Sequence, residues 1–94
     1  MKTYTLTKSK SKNKKWKITN GKTINFGQKG ASDFTINKDP NRKKNYINRH
    51  KSREDWNNLK SAGAWSKGLL WNKRTLNKSI KNMEQKFNIN IIKK

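Results

Sequence analysis

The eight residues 49–56, RHKSREDW, gather the chain's only histidine, two arginines, two carboxylates and a tryptophan. Three chemistries suit such a set. His50 beside Asp39, Glu54 or Asp55 has the makings of a general base in a small metal-dependent nuclease. Arg49 and Arg53, together with Arg42, carry the planar fork that grips phosphate or carboxylate through paired hydrogen bonds. The same groups, paired with one another, would form a structural clamp. Catalysis is the weakest of the three. There is no second histidine and no cysteine, so a zinc site lacks ligands. Glu54 and Asp55 are adjacent, and on a helix their side chains diverge by about 100°. The reading assigns no catalytic residue, no metal and no cofactor, and takes His50 as a packed, hydrogen-bonded side chain.

At about 100° per residue, Arg42, Tyr46, Arg49 and Arg53 fall on one helical stripe that Trp56 continues. Four of the five acids, Asp33, Asp39, Glu54 and Asp55, lie in the same third of the chain. Proximity in sequence favours arginines tied down by those acids, as a clamp holding a helix in place. Direct contact between the stripe and phosphate stays open beside it.

The elements that must position these groups follow from periodicity and caps. Residues 4–9, 16–19 and 22–26 alternate apolar and polar, which predicts three half-buried strands. Asn20-Gly21 predicts a type I′ hairpin between the second and third. Gly27 and Gly30 bracket a turn, and no Lys-Ser/Thr follows to make a nucleotide loop. Asp39 and Pro40 cap and open a helix expected to reach about residue 55. Ser61 caps a second over AGAWSKGLLW, with Gly63 and Gly68 weakening it. Thr75 caps a third, with Leu76, Ile80, Met83 and Phe87 as its apolar stripe and Asn88 at its end. The tail INIIKK has the pattern of a short edge strand. The expected fold is a single α+β domain, 1–94, with a three-stranded antiparallel sheet followed by three helices. Trp65 and Leu69 share a face and are expected in the core; stacking of Trp on bases is the alternative.

Charge sets the partner class. The 94 residues carry 25 Lys and Arg against five acids, a net charge of +20. Residues 1–32 contain nine lysines and no acid, and residues 67–94 contribute a further +7. Such a chain attracts polyanions. Asn, Lys and Ile make up nearly half of it, and AT-rich coding accounts for part of that, so single lysines carry little meaning. The densest run, KSKSKNKKWK, holds Lys8, Lys10, Lys12, Lys14, Lys15 and Lys17. With Lys29, Lys43, Lys44, Lys67, Lys73, Arg74 and the stripe of Arg42, Arg49 and Arg53, these are the expected nucleic-acid contacts. No apolar run approaches the roughly 18 residues of a membrane span, and the N-terminus lacks the apolar stretch of a signal peptide.

Three linked patterns add a resemblance: F-G-x-x-G-x-x-D-F (26–34), D-x-x-R-K-x-x-Y-I-x-R-H-x-x-R-E-x-W (39–56) and A-G-x-W-S-x-x-L-L-W (62–71). Together they resemble a family of small basic proteins encoded by large eukaryotic DNA viruses of the mimivirus-like and chlorovirus-like groups. Ala64 and Gly68 depart from it, where bulkier residues are expected. The resemblance implies a viral non-histone protein that binds and compacts DNA, located in the virion interior and in the viral factory of the host cytoplasm. The resulting expectation is sequence-independent binding and compaction of double-stranded DNA, by a homodimer or a chain with two DNA-binding faces. RNA is the alternative polyanion, and no membrane contact is expected.

Overall fold

Alternation in the first third of the chain builds the sheet, in a computed structural model that describes residues 1–94. The strands are β1 (Lys2–Lys8), β2 (Lys14–Asn20) and β3 (Lys22–Gln28). They pair antiparallel, with Leu6 opposite Ile18 and Trp16 opposite Phe26. Successive side chains face opposite sides of a strand, so Leu6, Ile18 and Phe26 share one face and are almost fully buried. Thr5, Thr19, Thr23 and Asn25 occupy the other. At the β2–β3 turn only Gly21 takes a positive φ, 72°. Asn20 stays in β2, so the turn is not the type I′ that the dipeptide suggests.

The sheet has four strands, not three. β4 (Ile89–Lys93) joins the free edge of β1, giving the order β3-β2-β1-β4. It runs parallel to β1, with Tyr4 opposite Ile91, which makes the sheet mixed. The tail is an edge strand as its pattern suggests. Its choice of β1 depends on where the helices return the chain, and no local signal encodes that.

Four helices and a π turn replace the three helices expected. Asp33 caps a short α1 (Phe34–Asn37) by accepting the Thr35 N–H. α2 (Pro40–His50) starts at the expected cap, with Asp39 accepting the Asn41 N–H at 2.9 Å. It stops at His50, five residues short of the expected end, and residues 51–60 form a run of turns. Ser61 caps α3 (Ala62–Trp65), which runs into a π turn over Ser66–Leu70. Gly68 sits in that turn against Met83, and a Cβ there would collide with the thioether. The glycine therefore permits close packing of the turn on α4, where a loosened helix is the sequence-based expectation. α4 (Leu76–Phe87) is capped by Thr75 and closed by Asn88 in the left-handed region.

Trp65, Leu69, Leu70, Ile80 and Met83 pack onto the buried sheet face with Leu6, Ile18, Phe26, Ile89 and Ile91. The result is a two-layer α+β domain. Each fully buried aliphatic or phenyl side chain contributes about 1.5–3 kcal/mol. No helix is long and apolar enough to cross a membrane.

Candidate nucleic-acid interface

The five acids are all occupied, and none of them by an arginine. Asp33, buried, holds Lys15 at 2.8 Å and also accepts from Thr35. Asp39 caps α2. Glu54 meets His50 Nδ1 at 2.7 Å and accepts the Trp56 indole N–H at 2.9 Å. Asp55 accepts the Asn57 N–H, and Glu84 accepts the N–H of Ile91 in the middle of β4. Lys15 is consequently the only one of the 25 Lys and Arg side chains within 4.0 Å of a carboxylate.

This overturns the arginine clamp. Sequence proximity placed acids near Arg42, Arg49 and Arg53, but the acids are used as caps and turn acceptors, which Asp supplies well. The clamp in RHKSREDW is made by its other residues. His50 stacks on Tyr46, with ring centroids 4.3 Å apart, and Tyr46 stacks on Trp71 at 4.6 Å and 7°. Glu54 bridges His50 to Trp56 and lies against Gly63 of α3, where a Cβ would come within 2.5 Å of its carboxylate. Lys43 adds a second tie, donating to the Asn72 carbonyl at 2.7 Å while lying over the Phe34 ring. His50 is thus packed and hydrogen-bonded as the sequence suggests. No three His, Asp or Glu side chains gather where they could share a metal ion.

Burial of Tyr46 pushes its hydroxyl up to about 12, with the Glu54 charge acting in the same direction. The unfolded chain releases this proton near pH 10 and the folded one near 12, so between these values the folded state binds more protons and stability falls as pH rises. Because burial penalises the phenolate, the folded state loses up to about 2–3 kcal/mol as pH rises from 10 through 12. Tyr46→Phe should remove this alkaline loss. The check is the thermal stability of variant and parent from pH 9 to 12, in which the parent should fall relative to the variant as pH rises.

The arginines are exposed and line a cleft of about 860 Å³. Arg42 and Arg49 come from α2 and Arg53 from the turn after it, where its guanidinium donates to the Arg49 carbonyl at 3.2 Å. Lys14 and Gln28, at the ends of β2 and β3, line it too. All three arginines of the predicted stripe therefore meet in one cleft, although Arg53 lies outside the helix.

The remaining predicted contacts fall in distinct places. Lys8, Lys10, Lys12 and Lys14 are exposed in and around the β1–β2 turn. Lys15 is consumed by Asp33, Lys17 is half-buried on the sheet, and Lys29 is exposed after β3. Lys44, Lys73 and Arg74 are exposed. Lys67 is half-buried with its ammonium over the Trp56 ring at 5.3 Å. Burial lowers its pKa, and Lys86, Lys43 and Lys73 lower it further. Lys43 is lowered by burial and by Lys73. Four ammonium groups from α2, the π turn, the next loop and α4 thus crowd together without an acid. Lys86 is the member that sequence reasoning missed, because only the fold brings α4 to the π turn.

Trp65 is fully buried, donates its indole N–H to the Leu59 carbonyl at 2.8 Å, and packs on Tyr4. That places it in the core and away from any base.

No curated protein and no solved structure matches the chain. One family model does match, over residues 4–50, which run from β1 to the end of α2 and so include Arg42, Arg49 and His50 while stopping short of Glu54 and α3. Half of the chain is covered by that match, and the protein belongs to this family of unknown function, DUF5754.

Proposed function

We propose that the protein binds double-stranded DNA without sequence preference and compacts it. One observation carries the reading: 24 of 25 cationic side chains have no carboxylate partner, because the five acids hold the fold together. Ammonium and guanidinium groups in that state are free to displace the counterions condensed on DNA, which drives sequence-independent binding. Lysine dominates the exposed set, as suits diffuse attraction more than base readout.

Compaction needs two contact surfaces on one particle. The sheet order agrees with such an arrangement. Exposed Lys14 and Lys29 lie toward the β3 edge, while exposed Lys93 and Lys94 lie at the β4 edge. The domain measures 34 × 30 × 25 Å, and contacts on both edges would let one chain bridge two duplexes. A viral origin and a place in the virion, implied by the sequence resemblance, agree with this use.

The test is a competition assay with imaging. Labelled duplex DNA should be displaced equally by unrelated duplex sequences, and long DNA should condense as protein is added. A sharp consensus from random-site selection, or tighter binding to structured RNA, would redirect the reading. Binding without condensation would remove the compaction part.

A further inference from the structure

We infer that the arginine cleft seats an unpaired nucleic-acid strand by its phosphates, a second mode distinct from lysine contact with duplex DNA. The inference rests on the nucleic-acid reading above and deepens it. Three of the chain's four arginines line this one cleft, whereas lysine supplies the charge elsewhere. Arginine's rigid fork suits fixed pairing with phosphate oxygens, for which a hydrated ammonium is a poor substitute.

The two acids at the cleft do not quench these forks. Asp33 is bound to Lys15, and Glu54 is bound to His50 and Trp56. A volume of about 860 Å³ falls in the range of roughly 300–1,000 Å³ typical of small-ligand sites. It has room for a few nucleotides and is too small to take a duplex inside. Arg42 and Arg49 are seven residues apart on α2, roughly 10 Å along its axis, which suits a chain of phosphates better than one ion. Tyr46 cannot serve as a stacking platform, since His50 and Trp71 already stack on it. Recognition therefore falls on the strand's backbone, with Gln28 and Asn45 as further hydrogen-bonding groups in the lining, and is tolerant of base identity.

The experiment compares the full chain with the charge-preserving triple variant Arg42→Lys, Arg49→Lys, Arg53→Lys. The probes are a blunt duplex, the same duplex carrying an unpaired tail, and poly-glutamate. The parent should prefer the tailed duplex. The triple variant should lose about ten-fold or more on the tail while changing blunt-duplex affinity by less than about two-fold. All three arginines are exposed, and a melting curve confirms that the variant folds. A second variant, Lys8→Gln with Lys10→Gln and Lys12→Gln, should weaken both duplexes equally and keep the tail preference. Equal affinity of the parent for tailed and blunt duplexes, or tail binding indifferent to Arg→Lys, overturns the inference and leaves duplex binding standing. Failure of the parent to bind any duplex removes the underlying reading instead. Arginine-dependent binding of poly-glutamate as tight as that of the tailed duplex would also overturn it, making the cleft a site for acidic protein.

Discussion

Replacing Trp65 with alanine is expected to lower the unfolding free energy by about 3–5 kcal/mol. Trp65 has no exposed surface, packs on Tyr4, and donates its indole N–H to the Leu59 carbonyl. The substitution empties the centre of the helix–sheet interface and leaves the partly buried Leu59 carbonyl without its donor. A small domain has only about 5–15 kcal/mol in total, and a net charge of +20 works against the compact state through self-repulsion. Each kcal/mol shifts the melting temperature of such a domain by about 4–8 °C, so the drop should exceed about 12 °C. Urea unfolding of parent and variant measures it. A variant that keeps its stability and loses nucleic-acid affinity would instead make Trp65 a base-stacking residue.

Affinity for duplex DNA is expected to fall about 10³–10⁵-fold between 50 and 200 mM salt, if about 6–10 phosphates are neutralised. That number is within reach of the cations that have no acid partner. Lys8, Lys10, Lys12 and Lys14 are exposed around the β1–β2 turn, Lys29 follows β3, and the crowded group of Lys43, Lys67, Lys73 and Lys86 adds more. The crowding itself favours a polyanion. Lys67 is held below the usual lysine range partly by its neighbours, and a phosphate beside it would relieve that repulsion and raise its proton affinity. Binding at alkaline pH, where Lys67 is partly deprotonated, should accordingly be accompanied by proton uptake.

Much of the fold was legible because its signals are local. Leu6, Ile18 and Phe26 sit where strand alternation puts them, and Asp39, Ser61, Thr75 and Asn88 bound helices as caps. The misses are non-local or competitive. β4 follows its tail pattern, but its parallel pairing with β1 depends on the whole path through α3 and α4. The four-residue α1 is too short for a periodic signal, leaving only the Asp33 cap to announce it. α2 ends at His50 although His50 and Glu54 are spaced like helical neighbours. Their contact is made by a turn, in which Glu54 also reaches Trp56 and lies against Gly63.

The arginines show the same limit at the candidate site. Their common stripe could be read from spacing, and the structure brings all three into one cleft. Their partners could not. Asp39 and Asp55 satisfy backbone N–H groups of their own segments, and Asp33 takes Lys15 from a strand 18 positions earlier. Counting nearby opposite charges predicted ion pairs; the need of helix starts and turns for acceptors took the acids first. The arginines consequently passed from clamp to open cleft, and the histidine, glutamate and tryptophan of the same eight residues became the clamp.

The account's central claim is that acid-free cations bind polyanions by releasing counterions. The most direct measurement is the slope of log affinity against log salt for duplex DNA, in the parent and in a variant with Lys8, Lys10, Lys12 and Lys14 changed to Gln. The parent slope should be steep, about −5 to −9, and the variant should be shallower by up to about 3–4. A parent whose affinity ignores salt, or a variant with an unchanged slope and affinity, would contradict the account.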